Sequence, residues 1–371
     1  MDVAFVTTRL VEKDAQGNFT EATLRELRKR CGKVTLFTFA YERSPVEGVD
    51  IRYVGGSNGH SIGANVRALL STGKLARELA TYDLLVLAGP DVGVLPAVHR
   101  AKKLNPRIRL FWVYHSLTPS EFLPSLKDRL LTMARKRAYL WSMMRSDTVQ
   151  TFSFYVKSEL LAEGIEDSLI RPEPFAIDTR AFATGDKRKI RAKHGLESDF
   201  VLLYVGRLAP AKRVDRLIEA MKGLDGDIAL VIVGGGPERE RLETMAKASG
   251  KKVIFAGRVP DEELPDYYAA CDTWVTASEH EGFCVPIVEA MAAGKPVVVP
   301  FAGAMPETAG DAGLIYEQGN TRDMVACIQC LREDRKYYES LAGRAVDSAK
   351  YFDIGRVMPA YVETICNSGR R

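Results

Sequence analysis

The chain has 371 residues, of which 46% are hydrophobic and 27% charged, with a net charge of +4. That length accommodates two α/β domains of roughly 150 residues and needs no disulfide or metal staple. The composition excludes a disordered or collagenous chain. No apolar run approaches the ~18 residues of a membrane span, and no basic leader precedes an apolar stretch, so neither a span nor a signal peptide is expected. Basic residues concentrate in 100–145, where eleven Lys and Arg face only Glu121 and Asp128. Such a patch suits an anionic lipid surface or a phosphorylated acceptor and is too local to indicate nucleic acid.

In chain order, short apolar runs alternate with helix-length stretches. VAFVTT (3–8) precedes a helix over 19–30 with Thr20 as its cap, followed by VTLFTF (34–39). LLVLAG (84–89) leads to a helix near 92–104, and RLFWVY (109–114) to one near 124–144. TVQTFS (148–153) and a helix near 155–163 complete this half. Continuous apolar strands separated by helices indicate a parallel sheet covered on both faces. Residues 171–195 carry prolines, glycines and dense charge without long periodicity, and the interdomain connection is placed near 180–190.

The second half restarts the rhythm. Strands are expected at 199–207, 227–236, 252–258, 272–278, 295–301 and 313–316, with helices over 213–224, 237–250, 262–271, 287–294 and 321–333. Two tandem α/β units imply a ligand cleft lined by the carboxyl ends of their strands. Of the six cysteines, Cys327 and Cys330 form C-x-x-C within an amphipathic helix. They read as buried reduced thiols, consistent with a cytoplasmic setting.

The segment SEHEGFCVPIVEAMAAGKPVVVP (278–300) carries the strongest chemical signal. Glu281 lies in a strand-to-helix loop and Glu289 about a turn into the next helix. Gly282, Phe283, Cys284 and Val285 supply backbone amides at that helix's N-terminus, a setting for diphosphate or sugar hydroxyls. Glu289 is either a buried carboxylate needing a partner or a solvated residue on the outer face. Arg207 and Lys212, five residues apart in VGRLAPAKR, suit phosphate oxygens and the negative charge that grows on a departing nucleotide; the plainer alternative is a solvated basic turn. Gly234, Gly235 and Gly236 lack both dinucleotide and Walker spacing, so they are either tight turns or a lining for a nucleotide. His115 follows the strand RLFWVY, where it either serves chemistry or caps a loop. His280 can pair with Glu279 or Glu281, whereas His60, His99 and His194 read as peripheral. No metal-binding motif is present, and none is required where Arg207 and Lys212 supply the positive charge.

Together, E-x7-E in EGFCVPIVEAMAAGKPVV, GRLAPAKRVDRLIEA, VIVGGGPERE and VIFAGRVPDEELPDYYAACD resemble the large retaining glycosyltransferase family 4, glycosyl transferases group 1. The likeness is strongest over 200–316 and mainly one of layout in the first half. It implies a GT-B fold: an acceptor domain over 1–182, a nucleotide-sugar domain over 183–350, and a crossover helix in 351–371 packed on the first domain. It further implies that Arg207 and Lys212 hold the diphosphate, Glu281 the sugar hydroxyls and Glu289 the ribose. The amides of 282–285 would meet sugar and phosphate, Gly235, Arg258 and Val259 would line the nucleotide site, and His115 would assist transfer. SFYVKSELLAEGI (153–165) resembles the family's S-x3-K-x2-L segment. Where many members have Gly-Gly near the donor phosphate, Gly17 and Asn18 stand in a first loop. Pro174–Phe175–Ala176–Ile177–Asp178 replaces the usual P-N-G-V-D turn.

The activity so implied is retaining hexosyl transfer from a UDP- or GDP-linked sugar, UDP favoured, to a sugar, lipid-linked or phosphorylated acceptor hydroxyl, with no cofactor beyond the donor. The stretch 127–144 mixes Lys127, Arg129, Arg135, Lys136 and Arg137 with Leu130, Leu131, Met133, Tyr139, Leu140 and Trp141. It either contacts an anionic membrane or turns its apolar side to the domain core. Rival functions are a nucleotide-sugar 2-epimerase on the same fold and a non-catalytic sugar-nucleotide-binding subunit.

Overall fold

The computed structural model describes residues 1–10, 15–41, 45–54, 72–117, 119 and 125–369. His60 lies outside them. The chain divides into two compact units. One comprises Met1–Leu117, Lys127–Pro174 and Val357–Arg371; the other comprises Thr118–Leu126 and Phe175–Arg356.

The first unit is built on seven parallel strands: β1 (Asp2–Thr7), β2 (Lys33–Thr38), β3 (Val49–Tyr53), β4 (Leu84–Ala88), β5 (Arg109–Tyr114), β6 (Thr148–Thr151) and β7 (Ile170–Pro172). Their order is β3-β2-β1-β4-β5-β6-β7. The inner strands β1, β4 and β5 are buried almost end to end, which is why they read as unbroken apolar runs. The edge strands β3 and β7 escaped the sequence reading because they are short or partly exposed and carry no such run. Helix α1 (Ala15–Arg30) starts earlier than expected, so Gly17 and Asn18 lie in its first turn and not in a loop. Thr20 is consequently a buried residue within the helix and not its cap. Helices α2 (Leu95–Leu104), α3 (Leu126–Met143) and α4 (Phe154–Ala162) follow, the last capped by Ser153, whose hydroxyl accepts from Val156 N at 3.1 Å.

The C-terminal helix Ile354–Asn367 completes this unit. Tyr361 is fully buried, with ring centroids 5.0 Å from Phe19 and 6.5 Å from Phe111. Cys31 and Cys366 lie Sγ to Sγ at 4.0 Å as free thiols.

The second unit repeats the plan with β8 (Phe200–Val205), β9 (Ile228–Val233), β10 (Lys252–Gly257), β11 (Thr273–Val275), β12 (Val297–Pro300) and β13 (Gly313–Tyr316), ordered β10-β9-β8-β11-β12-β13 and all parallel. Helices α5 (Val214–Ala220), α6 (Leu264–Ala270) and α7 (Val285–Ala292) flank the site described below. The stretch 171–195, read as irregular, contains two helices, Thr179–Ala183 and Lys187–His194. Asp178 and Asp186 cap them by accepting from Ala181 N and Arg188 N at 3.3 and 2.9 Å. Only Ile190 of KRKIRAKH is buried, which leaves no apolar period to detect. The C-x-x-C pair is also corrected: Cys330 is exposed and Cys327 half-buried, on the outer flank of the helix Thr321–Glu333.

Candidate active site

At the carboxyl end of the second sheet, backbone hydrogen bonds tie successive loops together. Gly206 N donates to Val233 O, Leu208 N to Gly235 O, Gly234 N to Gly257 O, Glu279 N to Ala211 O and Ala304 N to Glu281 O, all between 2.7 and 3.0 Å. The close approach depends on two glycines. A Cβ on Gly234 would lie 1.9 Å from Gly206 O, and one on Gly236 2.3 Å from Leu208 O. The triple glycine is therefore a packing device that brings the loop after β9 against the loop after β8. Gly235 is different, since its missing Cβ meets only the Arg258 side chain, at 3.6 Å.

The loop after β8 ends in the 3₁₀ turn Pro210–Lys212, from which the Lys212 ammonium donates to Glu281 Oε1 at 2.5 Å. Burial works against that charge, but the Glu281 carboxylate outweighs it and raises the Lys212 pKa. Next in the chain, Arg213 adopts φ +47°, a strained conformation for a side chain of this size. Its guanidinium is fixed by Glu279 at 2.7 Å and Asp215 at 3.1 Å, and Arg216 adds a second contact to Glu279. Lys212 and Arg213 are thus structured, which removes the reading of a solvated basic turn. Arg207 is exposed and has no carboxylate partner among the described residues; its field opposes that of Lys212, so the two cations share one neighbourhood.

Across the site, Cys284 also takes a left-handed conformation, φ +71°, and immediately precedes α7 without a side-chain bond to its first turn. In the first turn of α7, Pro286 has no N–H and Ile287 N donates to Cys284 O at 3.1 Å, so the helix dipole and the Val285 amide are what this end presents. Burial, then Glu281, pushes the Cys284 thiol well above its usual range, so it is no thiolate nucleophile. Phe283 packs against Phe175 and Phe352, with ring centroids 5.8 and 5.6 Å away, and anchors the loop from below. Glu289 is buried, not solvated: it accepts from Tyr268 Oη at 2.6 Å, and burial raises its pKa to about 7. Asp261, just past Arg258 and Val259, adds to that rise.

His115 belongs to the first unit, at the end of β5. Its ring stacks on Phe152 at 4.7 Å, and burial lowers its pKa to about 4, leaving a neutral imidazole near pH 7. Ser116 turns the chain there with φ +74°. Glu279 and Glu281 bind the cations of the loop after β8, and His99, expected to be peripheral, is partly buried and bonds Ser142 Oγ at 2.7 Å. Among the described residues, no cluster of His, Cys, Asp and Glu could hold a metal ion.

Two family models match the chain, the glycosyltransferase family 4 description over 16–180 and glycosyl transferases group 1 over 186–346. O-antigen chain mannosyltransferase B of Escherichia coli is 34% identical over 299 residues, spanning 76% of this chain and 74% of that enzyme. The chain belongs to the group 1 glycosyltransferases. Sulfoquinovosyl transferase SQD2 of Arabidopsis thaliana is 25% identical over 296 residues, and this glycosyltransferase covers 56% of that longer protein. A structure of Anabaena Alr3699/HepE in complex with UDP superposes with a TM-score of 0.81 at 21% identity, over 99% of this chain and 100% of that one. At that identity the likeness speaks for the fold, which is GT-B with two Rossmann-like parallel-sheet units. Tyr268 and the Arg213–Glu279–Arg216 clamp of this glycosyltransferase went unnoticed in sequence because their partners are distant in the chain. The left-handed Ser116, Arg213 and Cys284 had no sequence signal at all.

Proposed function

We propose that this glycosyltransferase moves a hexosyl group, with retention, from a UDP- or GDP-linked sugar to an acceptor hydroxyl on a lipid-linked, saccharide or phosphorylated precursor. The observation that carries the reading is the Lys212–Glu281 pair beside the uncapped start of α7. A diphosphate entering there exchanges with the carboxylate for the Lys212 ammonium, gains the unpaired Arg207, and meets the helix dipole. Glu281, once released, accepts from sugar hydroxyls. Glu289 accepts from the ribose, and Gly235, Arg258 and Val259 flank the base. Gly17 and Asn18, in the first turn of α1, offer amides to the phosphate, and the neutral His115 assists transfer at the sugar.

In this reading the acceptor oxygen attacks the anomeric carbon on the face from which the nucleoside diphosphate departs. The departing phosphate oxygen takes the acceptor proton, and Arg207 and Lys212 stabilise the charge that develops. Screening nucleotide sugars by thermal shift, then assaying hits for transfer, tests the reading. A stabilising donor and a glycoside product with the anomeric configuration kept are expected. Donor converted to its 2-epimer, or bound without product across a broad acceptor set, rejects it.

We further propose that the enzyme works in the cytoplasm against an anionic membrane, through α3. No helix among the described residues is long and apolar enough to cross a membrane. Residues Tyr139, Ser142 and Met143 face the core, whereas Leu126, Leu130, Met133, Trp141 and Met144 are 46–72% exposed. These five, with Arg137, recur at steps of three or four residues and form one outward stripe flanked by lysines and arginines. The helix thus has two apolar sides, one on the core through Tyr139, Leu140 and Met143 and this one turned outward. Co-sedimentation with anionic vesicles is expected for the wild type and should fall at least tenfold for Leu130→Glu/Met133→Glu; equal sedimentation rejects the stripe.

A further inference from the structure

Beside the outward stripe, α2 and the end of α3 enclose a surface cavity of about 790 Å³ lined by Pro96, His99, Arg100, Lys102, Lys103, Trp141 and Arg145. Four of these side chains are cationic and no carboxylate lines the cavity. Lys102 is already satisfied by Asp147 at 3.1 Å. Arg100 and Lys103, one helical turn apart, have no ion-pair partner among the described residues. Arg145 lies over the Trp141 ring at 4.4 Å, and the His99 ring meets the same indole at 4.5 Å. Like charges gathered around a concavity repel one another and contribute nothing to folding. A guanidinium braced on an indole is instead preorganised to grip an oxyanion. His99, bonded to Ser142 and kept neutral by burial, acts as a wall and not as a fifth charge.

Trp141 belongs to both features: it lines the cavity and lies in the apolar stripe. We propose that this cavity seats the phosphate of an anionic phospholipid headgroup, with Arg100, Lys103 and Arg145 on its oxygens and the stripe of α3 in the adjoining acyl boundary. The inference rests on the membrane reading of α3 and goes beyond it, because a general basic surface senses charge whereas a built cavity recognises phosphate.

Binding is measured on phosphatidylcholine vesicles carrying either phosphatidic acid or oleate, adjusted to equal surface potential. The wild type is expected to prefer the phosphate lipid at least tenfold. Arg100→Gln/Arg145→Gln, both at exposed positions, should lose roughly 30-fold on that lipid, at about 1 kcal/mol per charge, and abolish the preference while retaining weak adsorption. Lys127→Gln/Arg137→Gln should weaken both vesicle types alike and keep the preference. Absence of preference in the wild type, or one untouched by Arg100→Gln/Arg145→Gln, overturns the cavity and leaves the membrane reading standing. If no vesicle binds, the membrane reading falls first, and glycerol phosphate is then titrated against acrylamide quenching of Trp141, which reads cleanly because Trp112 and Trp274 are buried. Protection there reassigns the cavity to a soluble phosphate ester and overturns the lipid; no protection overturns the site.

Discussion

Lys212 is held by Glu281, and in the proposed reaction a donor would meet an ammonium already in position, with little reorganisation left for the chemical step. Lys212→Ala should therefore lower kcat by 10² or more, following the ~3 kcal/mol lost with one charge-stabilising donor. Steady-state kinetics with the matched donor checks this, and an unchanged kcat removes the role. Glu289 gives a prediction of opposite character. Its carboxyl titrates near 7 when folded and near 4.5 when unfolded, so between these values the native state holds the proton that the unfolded state has released. Stability from this group is full below pH 4.5 and declines as pH rises through about 7. Relative to Glu289→Gln, the wild type should lose up to about 3 kcal/mol between pH 4.5 and 8 in urea unfolding. The E-x7-E spacing was legible because it lies within one loop and one helix. The partners were not: Lys212 stands 69 positions from Glu281 and Tyr268 21 from Glu289, and only the sheet brings them together.

Loops at a sheet end become a site only when their backbones can close on one another. Gly236→Ala puts a methyl group 2.3 Å from Leu208 O, an approach that neither backbone can relieve locally. The loop carrying Arg207 and Lys212 must shift, and the donor KM should rise at least tenfold with a stability loss of about 1–3 kcal/mol. Gly235→Ala, whose added carbon meets only the Arg258 side chain at 3.6 Å, should cost less than 1 kcal/mol; equal penalties in denaturation and kinetics would reject the distinction. Strand β5 was legible to the residue, since a strand buried on both faces is written as an apolar run. Helix α3 was legible as amphipathic, but which face meets the core depends on Tyr139, Ser142 and Met143, and composition alone does not order them against Leu130 and Met133. The helix Lys187–His194 was invisible because a single buried isoleucine has no period.

Both units carry strand orders that begin at a central strand, run outward to one edge and return to the other, as expected of two Rossmann-like halves. The first unit borrows its last piece from the far end of the chain. Tyr361→Ala should cost about 3–5 kcal/mol in that unit's unfolding transition and leave the second unit's transition in place. Among the described residues the buried Tyr361 hydroxyl has no hydrogen-bond partner, so Tyr361→Phe should be neutral or stabilising by about 1 kcal/mol. Equilibrium denaturation of both variants checks the pair, and a penalty for phenylalanine would mean that the oxygen matters after all.

The placement of the helix Ile354–Asn367 also orders events during synthesis. While the ribosome is still translating residues 357–369, every strand of both sheets has been made, and the second unit up to Arg356 can settle as its segments emerge. The earlier-made unit cannot close over Phe19 and Phe111 until residues 357–369 leave the exit tunnel. The half whose synthesis begins first therefore closes after the other has been made, and a chain truncated before Val357 leaves the hydrophobic trough over Phe19 and Phe111 uncovered.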